Sequence, residues 1–144
     1  MSNRPVLLLA ILAILVSTAG RAQDAGPLDD PRAPVAATPN AEEWNNARSL
    51  IEEARDYARE AAASTKEEDN KCSAKLGAKL EVISGNLEQL SSKFDRMLIR
   101  KTYALAEDAR ALVASDCPRS FARSVDKKLE RIVTRLQRAD AQIR

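Results

Sequence analysis

Apolar residues recur at steps of three and four through residues 41–144, and no stretch there alternates apolar with polar positions as a β-strand would. This spacing is typical of amphipathic α-helices, whose buried face repeats every 3.6 residues. Four such stripes follow one another: Trp44, Ala47, Ile51, Ala54, Ala58 and Ala61; then Leu76, Leu80, Ile83, Leu87, Leu90, Phe94 and Met97; then Leu98, Leu105, Ala109 and Leu112; and last Ala122, Val125, Leu129, Ile132, Leu136, Ala139 and Ile143. The pattern predicts an all-α fold, an antiparallel up-down helical bundle.

Capping residues and chain breakers set the expected helix ends. Asn40 is the expected N-cap of the first helix, with Glu43 three residues later completing a capping box. A charged run over residues 66–71 marks the first connection. Pro118 suits the first turn of the last helix, because its missing N–H would have no intrahelical partner there. The expected helices are about 41–66, 72–90, 93–115 and 119–143.

The region 72–115 has a second interpretation, because it contains no strong helix breaker between residues 86 and 116. It could form one continuous helix, which at about 1.5 Å per residue would be about 66 Å long and would give a three-helix bundle. The alternative is a turn at residues 91–93, with Ser92 as the N-cap and Asp95 in the first turn of the next helix.

Cys72 and Cys117 are the only cysteines of the chain. A disulfide requires Cα atoms within roughly 7 Å of each other, which one continuous helix would prevent and a central hairpin would allow. The midpoint between the two cysteines falls beside the expected turn. We therefore expect four helices and a Cys72–Cys117 disulfide; two free thiols or an intermolecular bond are the alternatives. A redox role is not favoured, because the pair lacks Cys-x-x-Cys spacing.

The N-terminus is typical of a secretory signal peptide over residues 1–22. Arg4 precedes an uninterrupted apolar run of 11 residues, 6–16, and small residues follow, so that cleavage is expected after Ala22 or Ala19. A membrane-spanning helix would need roughly 20 apolar residues. We therefore expect a secreted or periplasmic protein, with the compartment and the class of organism left open.

Residues 23–40 contain four prolines, short alanine tracts and few large apolar side chains. Such a segment cannot bury enough surface to offset its ordering entropy, so we expect a disordered Pro/Ala-rich linker. The helical bundle domain is then expected to occupy residues 41–144.

Charge adds a second level of patterning. The formal net charge is +2, and loss of residues 1–22, with Arg4 and Arg21, brings it to 0, so that no overall attraction to nucleic acid is expected. Residues 41–68 carry eight acidic residues against four basic ones, and residues 118–144 carry eight basic against three acidic. These charges favour pairing of the first and last helices.

The basic strip of the last helix has an alternative interpretation as a partner-binding face. Its members share one side of the helix at steps of three and four: Lys128, Arg131, Arg135 and Arg138. No aromatic residue lies among them, so stacking on nucleic-acid bases is not expected.

The residues that most chemistry requires are missing. The chain has no histidine, which excludes Ser-His-Asp and Cys-His catalysis and histidine-ligated metals. It has no glycine-rich phosphate loop, and its carboxylate pairs at helical spacing have arginine neighbours. We therefore expect no enzyme, no catalytic residues, no cofactor and no metal.

Together these features favour an exported, non-enzymatic helical bundle that acts by protein–protein interaction, as an inhibitor, immunity protein, chaperone or adaptor does. The alternative is a binder of an apolar ligand or an anionic membrane surface through amphipathic helices. Homo-oligomerisation is a further possibility, and the identity of any partner protein does not follow from the sequence.

Overall fold

The structure, a computed structural model, describes residues 39–144 as four helices. The expected signal peptide over 1–22 and all of the expected linker except residues 39 and 40 lie outside the described residues. The helices are α1 (Ala41–Lys66), α2 (Lys71–Ser92), α3 (Arg96–Asp116) and α4 (Arg119–Gln142). Their bounds lie within three residues of those expected from the sequence.

The helices form a square, in which each one packs against two neighbours. α1 lies between α2 and α4, and so does α3, whereas the backbones of the diagonal pairs α1/α3 and α2/α4 have no Cα atoms within 8 Å of each other. Connections of two to four residues make consecutive helices antiparallel. Within residues 39–144 no β-strand occurs. The expected all-α antiparallel bundle is confirmed, including the expected contact between the first and last helices.

Three of the four helices begin at a side-chain cap. At α1, Asn40 Oδ1 accepts a hydrogen bond from the Glu43 amide at 2.8 Å, and Glu43 Oε2 accepts one from the Asn40 amide at 3.3 Å. At α2, Asn70 Oδ1 accepts from the Ser73 amide at 2.8 Å. These bonds satisfy amide donors that have no partner within the helix. The capping box expected at Asn40 is therefore confirmed.

The central turn corrects two expectations. Ser92 ends α2 and does not cap α3, because its hydroxyl donates backward to the Gln89 carbonyl at 2.9 Å. The cap of α3 is Asp95, which accepts from the Leu98 amide at 3.0 Å and places its negative charge at the positive end of the helix. The alternative of one helix over 72–115 is wrong, since the chain leaves helical geometry between α2 and α3.

Pro118 stands at the N-cap of α4, one position before the expected first turn.

The core alternates small and large side chains around the square. The buried faces of α2 and α4 carry mainly large apolar side chains, whereas that of α1 carries mainly alanine and the middle of that of α3 carries small residues. Large residues on one diagonal thus meet small residues on the other, as interdigitating core side chains do. The fully buried small side chains are Ala47, Ala54, Ala58 and Ala61 of α1 and Thr102, Ala106 and Ala109 of α3.

This alternation corrects the expected stripe of α3. Leu98, Leu105 and Leu112 are only partly buried and pack at the flanks of the helix, although Ala109 lies in the core as expected. Ile99 and Val113 complete the buried face. Because α2 and α4 bring large side chains to the centre of the bundle, the middle of the buried face of α3 carries small residues, and its leucines lie at the sides.

The disulfide closes the end of the α2–α3 hairpin that lies opposite its turn. Cys72 is the second residue of α2, Cys117 directly follows α3, and their Cα atoms are 5.3 Å apart. The expected bond is therefore confirmed. Beside it, Lys75 Nζ lies 3.5 Å from Asp116 Oδ2. A hydrogen bond donated by the Ser115 hydroxyl, together with the charge of Lys75, lowers the pKa of Asp116.

A buried ionic cluster joins α3 to α4 at the other end of the bundle. Asp140 is 0% exposed, and its Oδ1 accepts a hydrogen bond from Arg96 Nε at 2.8 Å. Arg100 Nε lies 3.8 Å from the same oxygen. Trp44 and Phe94 meet edge to face at this end, with ring centroids 5.9 Å apart. Asp140 falls on the otherwise apolar side of α4. A carboxylate at such a position is the one sequence signal that could have pointed to the cluster.

The disulfide makes a measurable contribution to stability. Because it joins residues 45 apart, replacement of both cysteines by serine is expected to lower the free energy of unfolding by about 4 kcal/mol through loop-closure entropy. Denaturant unfolding of both proteins measures the loss, and the reduced wild type, which keeps both cysteines, is the control. An unchanged midpoint, or two alkylatable thiols in the unreduced protein, contradicts this prediction.

The buried cluster predicts a difference between two aspartates of the same helix. Asp140→Ala removes the carboxylate that the buried Arg100 and the partly buried Arg96 face, and we expect a loss of about 3–5 kcal/mol. Asp126→Ala breaks a half-exposed pair with Arg110 at 3.0 Å and should cost less than about 1 kcal/mol. Thermal and urea unfolding compare the two, and equal losses would show that the cluster at Asp140 is not tightly coupled.

Candidate binding face on α1 and α4

The four basic residues that the sequence marks on α4 lie on the part of its surface between the contact with α1 and the solvent. The apolar residues of α4 point into the core, and so the charged ones cover the rest of its circumference. Lys128 and Arg135 are half-buried against α1, whereas Arg131 and Arg138 are exposed. The strip thus has an inner part at the helix–helix boundary and an outer part in solvent.

The inner part pairs α4 with α1. Arg135 Nε donates a hydrogen bond to Glu53 Oε2, and this bond, with the charge of Glu53, raises the pKa of Arg135. Lys128 Nζ donates to Ser64 Oγ at 2.9 Å and lies 3.5 Å from the carbonyl oxygen of Glu60. These contacts set the antiparallel register of the two helices, with residue 53 beside 135 and residue 64 beside 128.

An aromatic residue lies between these two contacts. The guanidinium carbon of Arg131 is 5.1 Å from the centroid of the Tyr57 ring, and that of Arg135 is 6.0 Å away. A cation over a tyrosine face at an exposed site contributes about 0.5–1 kcal/mol. The pattern of the sequence marks Tyr57 only as a side chain that widens the apolar stripe of α1; its position against two arginines depends on the register with α4.

Two rows of opposite charge run along this face, one on each helix. We call Asp56 and Glu60 of α1, with Glu67 at its C-cap, the acidic row, and Lys127, Arg131 and Arg138 of α4 the basic row; all six residues are exposed. Asp56 lies 3.8 Å from Arg59, a weak contact within α1. Among the residues that the structure describes, the other five members form no ion pair.

The basic row continues into a shallow groove near the start of α4. The groove has a volume of about 410 Å³ and is lined by Ser120, Arg123, Ser124, Lys127, Lys128 and Arg131. Cations that are four residues apart on a helix, such as Lys127 and Arg131, repel each other by a few tenths of a kcal/mol. An anionic group bound over this part of α4 would relieve that repulsion.

Within residues 39–144, Val82 of α2 is the large apolar side chain that stands exposed, at 51%. None of the helices over residues 39–144 is long and apolar enough to cross a membrane. No group of three or more Asp, Glu, Cys or His side chains in the same range could hold a metal ion. Comparison with known proteins finds no matching family model, no matching curated protein and no matching solved structure.

The Glu53–Arg135 pair should couple the two helices only modestly. A double-mutant cycle with Glu53→Ala and Arg135→Ala is expected to give a coupling free energy of about 0.2–1 kcal/mol that declines as salt is added. Urea unfolding of the four proteins measures it. The Arg48–Glu52 pair, 3.1 Å apart within α1, is the control for a contact that joins no second helix. A coupling that salt does not change would contradict an electrostatic origin.

Proposed function

We propose that this chain is an exported, non-enzymatic protein-binding module whose binding surface is the face formed by α1 and α4. The observation that carries the proposal is the position of Tyr57, whose ring lies against Arg131 and Arg135 near the middle of that face. Charged rows flank this centre on both helices. The arrangement has the composition of a protein interface, with an aromatic and arginine centre and a polar surround.

The residue types favour a protein as the partner. Tyrosine and arginine are enriched among the residues that contribute most to protein–protein affinity, because each combines a large contact area with directional polar groups. Tyr57 and Arg131 also stand on two helices that are packed against each other along their length. A rigid surface of this kind loses little conformational entropy when it binds.

The alternative, an apolar ligand or a membrane surface, has less support. The leucine and isoleucine side chains that such a ligand would contact are buried in the core, so the helices would have to separate to expose them. The Cys72–Cys117 disulfide restrains that separation for α2 and α3. A bound membrane helix inserts apolar side chains, whereas the outer face of α4 carries cations.

Export to the periplasm or the medium is the second part of the proposal. A disulfide-bonded helical domain is compatible with an extracellular location, since structural disulfides persist in oxidising compartments. The apolar run at residues 6–16, preceded by Arg4, supports secretion. Immunoblotting of cell fractions tests export. The exported protein should be shorter than the precursor by about 20 residues.

Site-specific photocrosslinking in the native host tests the binding face. A photoreactive amino acid at Ser49 or Ser124, exposed on α1 and α4, should form crosslinks to protein. The matched controls are Val82 and Lys101, exposed on α2 and α3, and should give at least tenfold less product. Tyr57→Ala should reduce the crosslinks from Ser124. Equal products from all four positions, or none from Ser49 and Ser124, would overturn the proposal.

A further inference from the structure

The acidic and basic rows lie side by side on one face, and the register of α1 with α4 fixes which of their residues stand at the same height along the bundle axis. The contacts between α1 and α4 place residue 57 beside 131 and residue 64 beside 128. Asp56 and Glu60 therefore stand at the height of Arg131 and Lys127 on the neighbouring helix. At these two heights the face thus carries an acidic group on one side and a basic group on the other.

Such a face is self-complementary under one particular two-fold rotation. When the axis lies in the interface and runs parallel to the helices, the rotation exchanges left and right and keeps every height. The α1 helix of one copy then faces α4 of the other, so that the acidic row meets the basic row twice. A two-fold axis perpendicular to the helices would instead oppose α1 to α1 and bring like charges together.

We propose that the partner which fits the α1/α4 face is a second copy of this chain, related by a two-fold axis parallel to the helices. This inference rests on the proposed function, since it names the partner of the same surface. Asp56 and Glu60 of each copy face Lys127 and Arg131 of the other. The pairing is closed, because these four residues of both copies are used together and the same face of each copy is covered.

The size of the face suits a dimer of this kind. A helix of 26 residues is about 39 Å long, and two helices packed about 10 Å apart cover a width of about 20 Å. The face therefore offers on the order of 750 Å² per copy, close to the roughly 800 Å² of a standard specific interface. The two Tyr57 rings lie near the middle of this area, one from each copy.

Charge reversal in pairs provides a sharp test by sedimentation of the disulfide-bonded secreted protein. One variant carries Asp56→Lys and Glu60→Lys, which makes both sides of the face basic at these heights. The other carries Lys127→Glu and Arg131→Glu, which makes both sides acidic there. Each variant alone should dimerise at least tenfold more weakly than the wild type, because like charges then face each other. Mixed in equal amounts, the two variants should form a heterodimer, since each row again meets its opposite.

Three controls separate the effect of charge reversal at the interface from a loss of folding. Lys71→Glu with Lys101→Glu makes the same change of charge on α2 and α3 and should leave the dimer unchanged. Lys127→Glu alone keeps the Arg131–Tyr57 contact and should still weaken dimerisation. Recovery of association on mixing shows that both reversed variants are folded, and salt at about 1 M should dissociate the wild type.

The outcomes distinguish this inference from the function on which it rests. If the wild type stays monomeric while Ser49 and Ser124 crosslink to a different protein, the proposed dimer is wrong and the proposed binding face stands. A monomer without such crosslinks overturns both. A dimer that both reversed variants form as tightly as the wild type overturns the proposed geometry, whereas a heterodimer that forms only on mixing supports it.

Discussion

Everything on the α1/α4 face depends on how closely α1 approaches α4, and the small buried side chains of α1 set that approach. Four alanines on its inner face meet the leucines and isoleucines of α2 and α4, so the helices pack closely without overfilling the centre. Only at this separation do Glu53, Tyr57 and Ser64 reach Arg135, Arg131 and Lys128. Larger residues at the alanine positions would move α1 outward and separate the groups that form the candidate site.

Sequence reasoning could predict the features that depend on local chemistry. Helix ends followed from capping residues such as Asn40, and the hairpin followed from the spacing of Cys72 and Cys117 together with the distance limit of a disulfide. The turn was predicted at residues 91–93 and lies at 93–95, and its predicted cap was wrong, because Ser92 and Asp95 are both acceptable caps. The choice between them depends on which backbone amides are free after α2 has ended.

What could not be predicted depends on volumes and on register between helices. Helical periodicity locates a broad apolar face, but the rotation of α3 within that face depends on the space that α2 and α4 leave in the centre; hence Leu105 lies at the flank and Ala106 in the core. The position of Tyr57 against two arginines requires the register of α1 with α4. Asp140 was missed because one carboxylate on an apolar face gives no indication of the arginines that reach it from another helix.

The charged groups of this domain therefore divide into two kinds. Buried ones, such as Asp140 with Arg96 and Arg100, are held within the fold, where an isolated charge would be strongly destabilising. Exposed ones on α1 and α4 contribute less than about 1 kcal/mol each to the fold, and cations four residues apart even repel one another. The antiparallel packing of α1 on α4 follows from the buried apolar residues and the short connections, and it would persist without the outer rows. The fold therefore does not require the opposite charges of Asp56 and Glu60 on α1 and of Lys127 and Arg131 on α4, and the proposed second copy would use them.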